Sequence, residues 1–127
     1  EDVFDTVEDL LAGRGLAKLH TALTGQSCTP EEVADAPNGA DTLAIAARAL
    51  GALVREAAYL YLPEGGIYFN GSLARTLLSG ETRAHALAPL LSETAFKGRM
   101  AKIPTYLLND DASALQGCAR FLTVGTA

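Results

Sequence analysis

Only two short segments of this chain have the pattern of a β-strand, and this most constrains its fold. Ile67-Tyr68-Phe69 and residues 103–108 are runs of strand-favouring residues bounded by turn residues. The sequence between them predicts helices, so the pair forms a βαβ unit with parallel strands. A two-stranded sheet has unpaired edges that require further strands. We therefore expect the C-terminal part of a larger α/β layer, or a sheet completed by another chain.

Helical patterns account for most of the remaining chain. Thr6 and Asp9 have the spacing of a capping box, and the glycines of residues 12–16 indicate a loop that allows close backbone approach. Apolar residues recur at helical spacing over residues 40–62, the longest predicted helix, with Asp41 as its candidate N-cap. Further helices are predicted over residues 16–23, 73–78, 82–96 and 113–122, and a short one begins at Thr29-Pro30-Glu31-Glu32.

Charge and hydropathy exclude two classes of function. Ten Lys and Arg residues against fifteen Asp and Glu give a formal net charge of −5, which argues against nucleic-acid binding. No run of about 20 uncharged residues is present to cross a bilayer. The acidic start without Met is not a signal peptide and suggests a processed, truncated or excised chain. Cys28 and Cys118 lack a metal-site spacing, so we expect reduced thiols in a cytoplasmic protein.

The residues predict no self-sufficient catalytic site and no metal site. His20 falls on the apolar face of its helix, which favours a structural role, and His85 lies among alanines on a predicted surface helix. A phosphate-binding G-x-x-x-x-G-K-[ST] loop, a G-x-S-x-G motif and an HExxH motif are all missing from the sequence. Asn70-Gly71-Ser72 stands at the C-terminal end of a predicted parallel strand, where α/β folds bind ligands.

Six segments in order resemble the C-terminal portion of bacterial glucokinase, a hexokinase-type member of the actin-like ATPase fold. The family's E-x-x-[LIV]-S-G-x-G-L stretch is matched by residues 8–16, and Gly51 matches a glycine of its long helix. G-G-[IV]-[FY]-x-x-G-G is matched by residues 65–72, and K-G-R-[FM] by residues 97–100. I-P-x-Y-[LV] and A-L-x-G-A-A are matched by residues 103–107 and 114–119.

The resemblance implies an α/β fold, mostly helical with a few mainly parallel strands, as one partial domain over residues 1–127 of an actin-like ATPase (ribonuclease H-like) domain. It implies ATP-dependent phosphorylation of glucose at the 6-hydroxyl, with Mg²⁺, in a cytoplasmic homodimer. Glu8 matches an acid that binds a sugar hydroxyl, which a carboxylate accepts well. Gly71 and Ser72 match the turn against the adenosine, although Ser72 replaces a glycine and Asn70 a small residue.

The resemblance also implies that this chain alone is inactive. The family's D-x-G-G-T phosphate loop, its catalytic Asp in an N-D pair and its E-G-G-H sugar motif belong to an N-terminal half that has no counterpart here. Two other hypotheses stay open. One is a non-catalytic association module of the same fold, suggested by Ser72 and Arg55 at positions where the family has small residues. The other is a helical dimerisation domain that uses the alanine-rich face of residues 40–62.

Overall fold

A computed structural model describes residues 3–92, 98–110 and 112–124 of the chain. Helices dominate it, and two short strands form a single parallel sheet, in agreement with the expected mostly helical α/β arrangement. In chain order the elements are α1 (Val7–Leu10), α2 (Gly13–Thr24), α3 (Gly39–Tyr61), β1 (Ile67–Phe69), α4 (Ser72–Leu77), α5 (Thr82–Leu91), a 3-10 turn (Met100–Lys102), β2 (Thr105–Leu107) and α6 (Ser113–Val124).

Helix α3 organises the described chain, because α2, α4 and α5 all pack against it. It approaches α5 closely at Gly51, where a Cβ atom would lie 2.1 Å from the Ala86 carbonyl oxygen and 2.9 Å from Pro89 Cδ. Only a glycine permits this backbone contact. Pro89 remains inside α5, which ends two residues later at Leu91.

The buried side chains form two clusters along α3. The larger one joins α3 to α2, α4, α5 and the loop before α3, and contains Leu16, Leu19, Val33, Leu43, Ala46, Ala47, Leu77 and Ala86. The smaller one lies near the C-terminal end of α3, beneath the sheet, and contains Val54, Ala58, Leu90 and Met100. Ile67, Phe69 and Ile103 pack against this smaller cluster. The sheet therefore has one face on the core.

The two histidines occupy opposite environments. His20 is fully buried and its Nδ1 lies 2.9 Å from the Oγ1 of Thr42, which is also fully buried. This contact joins α2 to α3, and it confirms the predicted structural role of His20. His85 is exposed on α5, also as predicted.

The sheet pairs β1 with β2 in parallel, with Ile67 opposite Thr105, Tyr68 opposite Tyr106 and Phe69 opposite Leu107. On the outer face the Tyr68 and Tyr106 rings stack with centroids 4.8 Å apart, and both side chains are exposed. Within the described ranges no third strand pairs with either edge. The predicted parallel pair is confirmed, and its edges have the open character expected from the sequence.

Two predictions for the first forty residues are wrong. The segment from Thr29 forms successive turns instead of a helix. Val33 is fully buried there, and a Cβ at Gly39 would lie 1.9 Å from the Val33 carbonyl oxygen, so the chain folds back tightly onto the start of α3. The glycine-rich residues 13–16 form the first turn of α2 instead of a loop.

Other element boundaries differ by a few residues. Asp41 lies in the first turn of α3 and is not its N-cap, because Asn38 holds that position at φ 60°. Strand β2 begins at Thr105 and not at Ile103, although the Pro104 carbonyl accepts a hydrogen bond from Ile67 N at 2.8 Å. Of the helix predicted over residues 82–96, the part from 93 onward lies outside the described residues. The described helices include none with the length and apolarity needed to span a bilayer.

Candidate functional site

The turn between β1 and α4 has a backbone conformation that favours glycine. Gly71 has φ 104° and ψ 161° and precedes the first residue of α4, Ser72. The Asn70 side-chain oxygen accepts a hydrogen bond from Gly71 N at 2.9 Å, and Arg75 N donates to the Gly71 carbonyl at 3.1 Å. Apart from its two chain neighbours, no described residue has an atom within 4 Å of where a Gly71 Cβ would be. One side of this turn is therefore open to a ligand.

A groove of about 480 Å³ runs beside this turn. Its walls are apolar side chains from three parts of the chain: Leu11 after α1, Leu50 and Leu53 on α3, and Leu73 and Leu77 on α4. Tyr68, Phe69, Asn70, Gly71, Ser72 and Ala74 complete the lining. Apolar walls beside a few polar groups are typical of small-molecule binding sites.

The structure places both predicted nucleotide contacts, Gly71 and Ser72, at this groove. Sequence reasoning missed Leu11, Leu50 and Leu53 as its walls. The signal available in the sequence was the wide apolar stripe of α3, which includes Leu50 and Leu53. In the structure this stripe is wider than the core needs, because Leu53 remains 41% exposed.

The predicted sugar contact, Glu8, lies outside the groove on the exposed surface of α1. Its carboxylate accepts a hydrogen bond from the Arg14 guanidinium at 3.2 Å, and its side chain is 80% exposed. Three residues later, Leu11 does line the groove. Thus Glu8 lies only three residues from a wall of the groove, but the structure does not bring Glu8 to the groove itself.

Two local features hold helix α1, which carries Glu8, in position. The Thr6 hydroxyl accepts a hydrogen bond from Asp9 N at 3.1 Å and donates one to the Asp9 carboxylate at 2.8 Å, which confirms the predicted cap. A Cβ at Gly15 would lie 2.0 Å from the Asp9 carbonyl oxygen, so α2 packs directly on the α1 backbone. The hydrogen bond from the Thr6 hydroxyl lowers the pKa of Asp9 below its ordinary value.

The described residues show no grouping of His, Cys, Asp and Glu side chains that could hold a metal ion. Cys28 is half-buried and Cys118 exposed, and both are free thiols. At the groove and the adjoining helix α1, the described residues offer an apolar wall, an open glycine turn and a surface carboxylate.

Comparison with known proteins gives consistent results along the chain. A family model described as glucokinase matches residues 5–124. Glucokinase of Brucella abortus biovar 1 (strain 9-941) is 28% identical over 128 residues, which cover 91% of this chain and 37% of that protein. Glucokinases of Rhizobium meliloti (strain 1021) and Cupriavidus pinatubonensis (strain JMP 134 / LMG 1197) are each 26% identical, over 90% and 92% of this chain.

The chain spans only 37% to 38% of the length of these curated relatives. No solved structure matches it.

Proposed function

This chain belongs to the glucokinase family, and we propose that it is the C-terminal part of an ATP-dependent kinase that phosphorylates glucose at its 6-hydroxyl. The family match over residues 5–124 is the observation that carries the proposal. The chain spans only 37% of the length of such a relative, and this supports the proposal that further polypeptide completes the enzyme.

We propose that residues 1–127 form one partial domain of the actin-like ATPase type. The parallel pair β1–β2 supports this, because within the described chain its edges have no further strand. An N-terminal half would supply the missing strands. The proposal also includes a cytoplasmic location and a homodimer of the complete protein.

The groove beside the β1–α4 turn is proposed to hold the adenosine of ATP. The walls formed by Leu50 and Leu53 suit a purine ring, and the open side of Gly71 lets a ribose approach the backbone. Ser72 is exposed next to it and can form a hydrogen bond with a ribose hydroxyl. These residues fit the adenosine end of the nucleotide.

The phosphates and Mg²⁺ would be held elsewhere in the complete protein. Phosphoryl transfer requires a phosphate cradle, a metal and a base that receives the proton of the sugar hydroxyl. The described part of the chain offers no metal-holding group. This chain therefore contributes binding and positioning, and the remaining polypeptide contributes the reacting centre.

Glu8 is proposed to accept hydrogen bonds from the sugar. Its carboxylate is exposed and held at the surface by Arg14, so a sugar can reach it without unfolding any element. A charged acceptor strengthens such a bond and rejects analogues that lack the hydroxyl.

An assay of glucose phosphorylation coupled to glucose 6-phosphate oxidation tests the proposal in two forms of the protein. The complete protein is expected to turn over glucose with ATP, and the 127-residue chain is expected to remain at the blank rate. Turnover by the chain alone, or none by a folded complete protein, would contradict it.

A non-catalytic association module is the second candidate. The observations that favour it are Ser72 at the glycine turn and the exposed apolar side chains Leu115, Phe121 and Leu122 of α6. It predicts a stable oligomer without adenine-nucleotide binding. Calorimetric titration of the complete protein with ATP separates the two, because only the kinase binds ATP saturably.

A further inference from the structure

A second cavity lies at the end of the sheet where both strands begin, away from the β1–α4 turn. It has a volume of about 370 Å³ and is lined by the residues that precede both strands, namely Leu62, Glu64, Arg99, Met100, Lys102, Ile103 and Pro104. The groove beside Gly71 shares none of these residues. Because parallel strands begin at the same end of the sheet, the two cavities lie at opposite ends of the same pair of strands.

The way α3 ends creates this cavity. Leu62 adopts the left-handed conformation at φ 44°, and its N–H still bonds to the Ala58 carbonyl at 2.9 Å. Pro63 then prevents the helix from continuing. The 3-10 turn Met100–Lys102 closes the other side of the cavity, with Met100 fully buried.

Apolar and charged residues are separated within the cavity. Leu62 and Ile103 provide the apolar floor: Leu62 is exposed, and Ile103 is half-buried and packs against the core cluster beneath the sheet. Arg99 and Lys102 are exposed at its rim, and in the described part of the chain neither side chain has an ion-pair or hydrogen-bond partner. By contrast, Arg14 and Arg55 are both paired with carboxylates.

The described residues that line this rim carry a positive charge, although the chain has a net charge of −5. Glu64 contributes one negative charge, and the C-terminal end of α3 adds about half a unit more. Two cations outweigh both. A guanidinium and an ammonium above an apolar floor match a molecule with an anionic head and an apolar body.

We propose that this cavity binds a small organic carboxylate. Its head would lie between Arg99 and Lys102, and its carbon chain on Leu62 and Ile103. The site is separate from the proposed nucleotide groove and does not depend on the proposed kinase function.

The test uses hexanoate as the probe and follows backbone amide shifts of the 127-residue chain by NMR. Hexanol is the uncharged match, and inorganic phosphate is the anion without an apolar body. The variant is Arg99→Gln with Lys102→Gln, and Arg48→Gln on the exposed surface of α3 is the control for loss of a cation.

Saturable shifts at Leu62, Met100 and Ile103 are expected with hexanoate. Loss of the two charge-assisted contacts is expected to weaken binding by at least about tenfold in the double variant, with no change in Arg48→Gln. Hexanol and phosphate are each expected to bind at least about tenfold more weakly, because each lacks one of the two matched features.

Several results would overturn the proposal: no saturation with hexanoate, equal binding of hexanol or phosphate, equal binding by the double variant, or shifts confined to other residues. If the double variant does not fold, Lys102→Gln and the charge-conserving Lys102→Arg replace it. Only the former is then expected to lose affinity, and equal affinity of the two would reject the site.

Discussion

The Nδ1 of His20 and the Oγ1 of Thr42 lie 2.9 Å apart between α2 and α3, and both residues are fully buried. The Thr42 hydroxyl also donates to the Asn38 carbonyl at 3.3 Å. Since a hydroxyl has one hydrogen to donate, the histidine ring donates from Nδ1 whenever the Thr42 hydroxyl donates to Asn38. Its Nε2 is buried without a hydrogen-bond partner among the described residues.

Replacing Thr42 by Val is expected to destabilise the protein by about 1–3 kcal/mol, because the buried Nδ1 of His20 loses its hydrogen-bond partner while the side-chain shape is kept. Thr42→Ser keeps the hydroxyl and should cost less. Urea unfolding gives the free energies, and ¹⁵N shifts of the His20 ring identify its tautomer. A Val variant as stable as the parent would show that the contact contributes nothing.

The contact of α3 with α5 at Gly51 leads to a second prediction. Gly51→Ala places a methyl group against the Ala86 carbonyl and is expected to cost about 2 kcal/mol or more, because the helices must separate. Gly117→Ala is the matched control, since Gly117 lies in α6 and no other described element has an atom within 4 Å of its Cβ position. Thermal unfolding should show a lower midpoint only for Gly51→Ala. Equal midpoints would mean that α3 and α5 are not in this close contact.

The low pKa of Asp9 depends on the hydroxyl of Thr6. Thr6→Val is therefore expected to raise this pKa toward its ordinary value, as carboxyl NMR titration can measure. The pKa of Glu32, which is lowered by hydrogen bonds at Thr29, should stay low and serves as the control. An unchanged Asp9 pKa in the variant would exclude the hydroxyl as its cause.

The sign of the pH effect on stability follows from this shift. A carboxyl with a lowered pKa in the fold contributes stability above its unfolded pKa of about 3.9, and that contribution is lost as pH falls through the lower folded value. The stability difference between the parent and Thr6→Val should be constant near neutral pH and shrink below about pH 4. A difference that grows on acidification would contradict this assignment.

Gly71 and Gly65 allow a conformational test of the proposed nucleotide turn. In the described part of the chain, neither glycine has an atom from beyond its chain neighbours within 4 Å of its Cβ position, but of the two only Gly71 has a positive φ. Gly71→Ala is expected to cost about 1–3 kcal/mol from backbone strain alone, and Gly65→Ala almost nothing. In the complete protein, Gly71→Ala should also weaken ATP binding in calorimetric titration. Equal ATP affinity of the parent and both variants would remove Gly71 from the site.

The proposed sugar contact is tested by Glu8→Gln in the complete protein. We expect the KM for glucose to rise by about ten- to a hundredfold, because an uncharged acceptor forms weaker hydrogen bonds. Arg14→Gln removes the surface ion pair but keeps the carboxylate, so its KM should stay within about threefold. A KM for Glu8→Gln equal to that of Arg14→Gln would remove Glu8 from the sugar site.

Local patterns predicted the helices and strands well where each depends on its own residues. The cap of α1 followed from Thr6 and Asp9, and β1 followed from three bulky residues between turns. The segment from Thr29 failed because its conformation depends on Val33 packing in a distant core and on its contact with Gly39. Non-local contacts of this kind leave no periodic signal in the chain.

The candidate site was predictable only in part, for the same reason. Gly71 and Ser72 stand in a recognisable strand–turn–helix context, so their place at a groove could be expected. The wall formed by Leu11 and Leu53 arises from the packing of α1 and α3 near that turn. No spacing in the sequence relates residues so far apart, and the exposure of Glu8 outside the groove was equally inaccessible.

Helix α6 buries none of its twelve residues, and neither core cluster contains a side chain from it. A helix of this length is marginal in water when it has only its own hydrogen bonds. Its amides should therefore exchange with deuterated solvent through local opening, long before those of α3, which exchange only when the clusters come apart. A single melting temperature measured on this chain would describe the two clusters and leave α6 out.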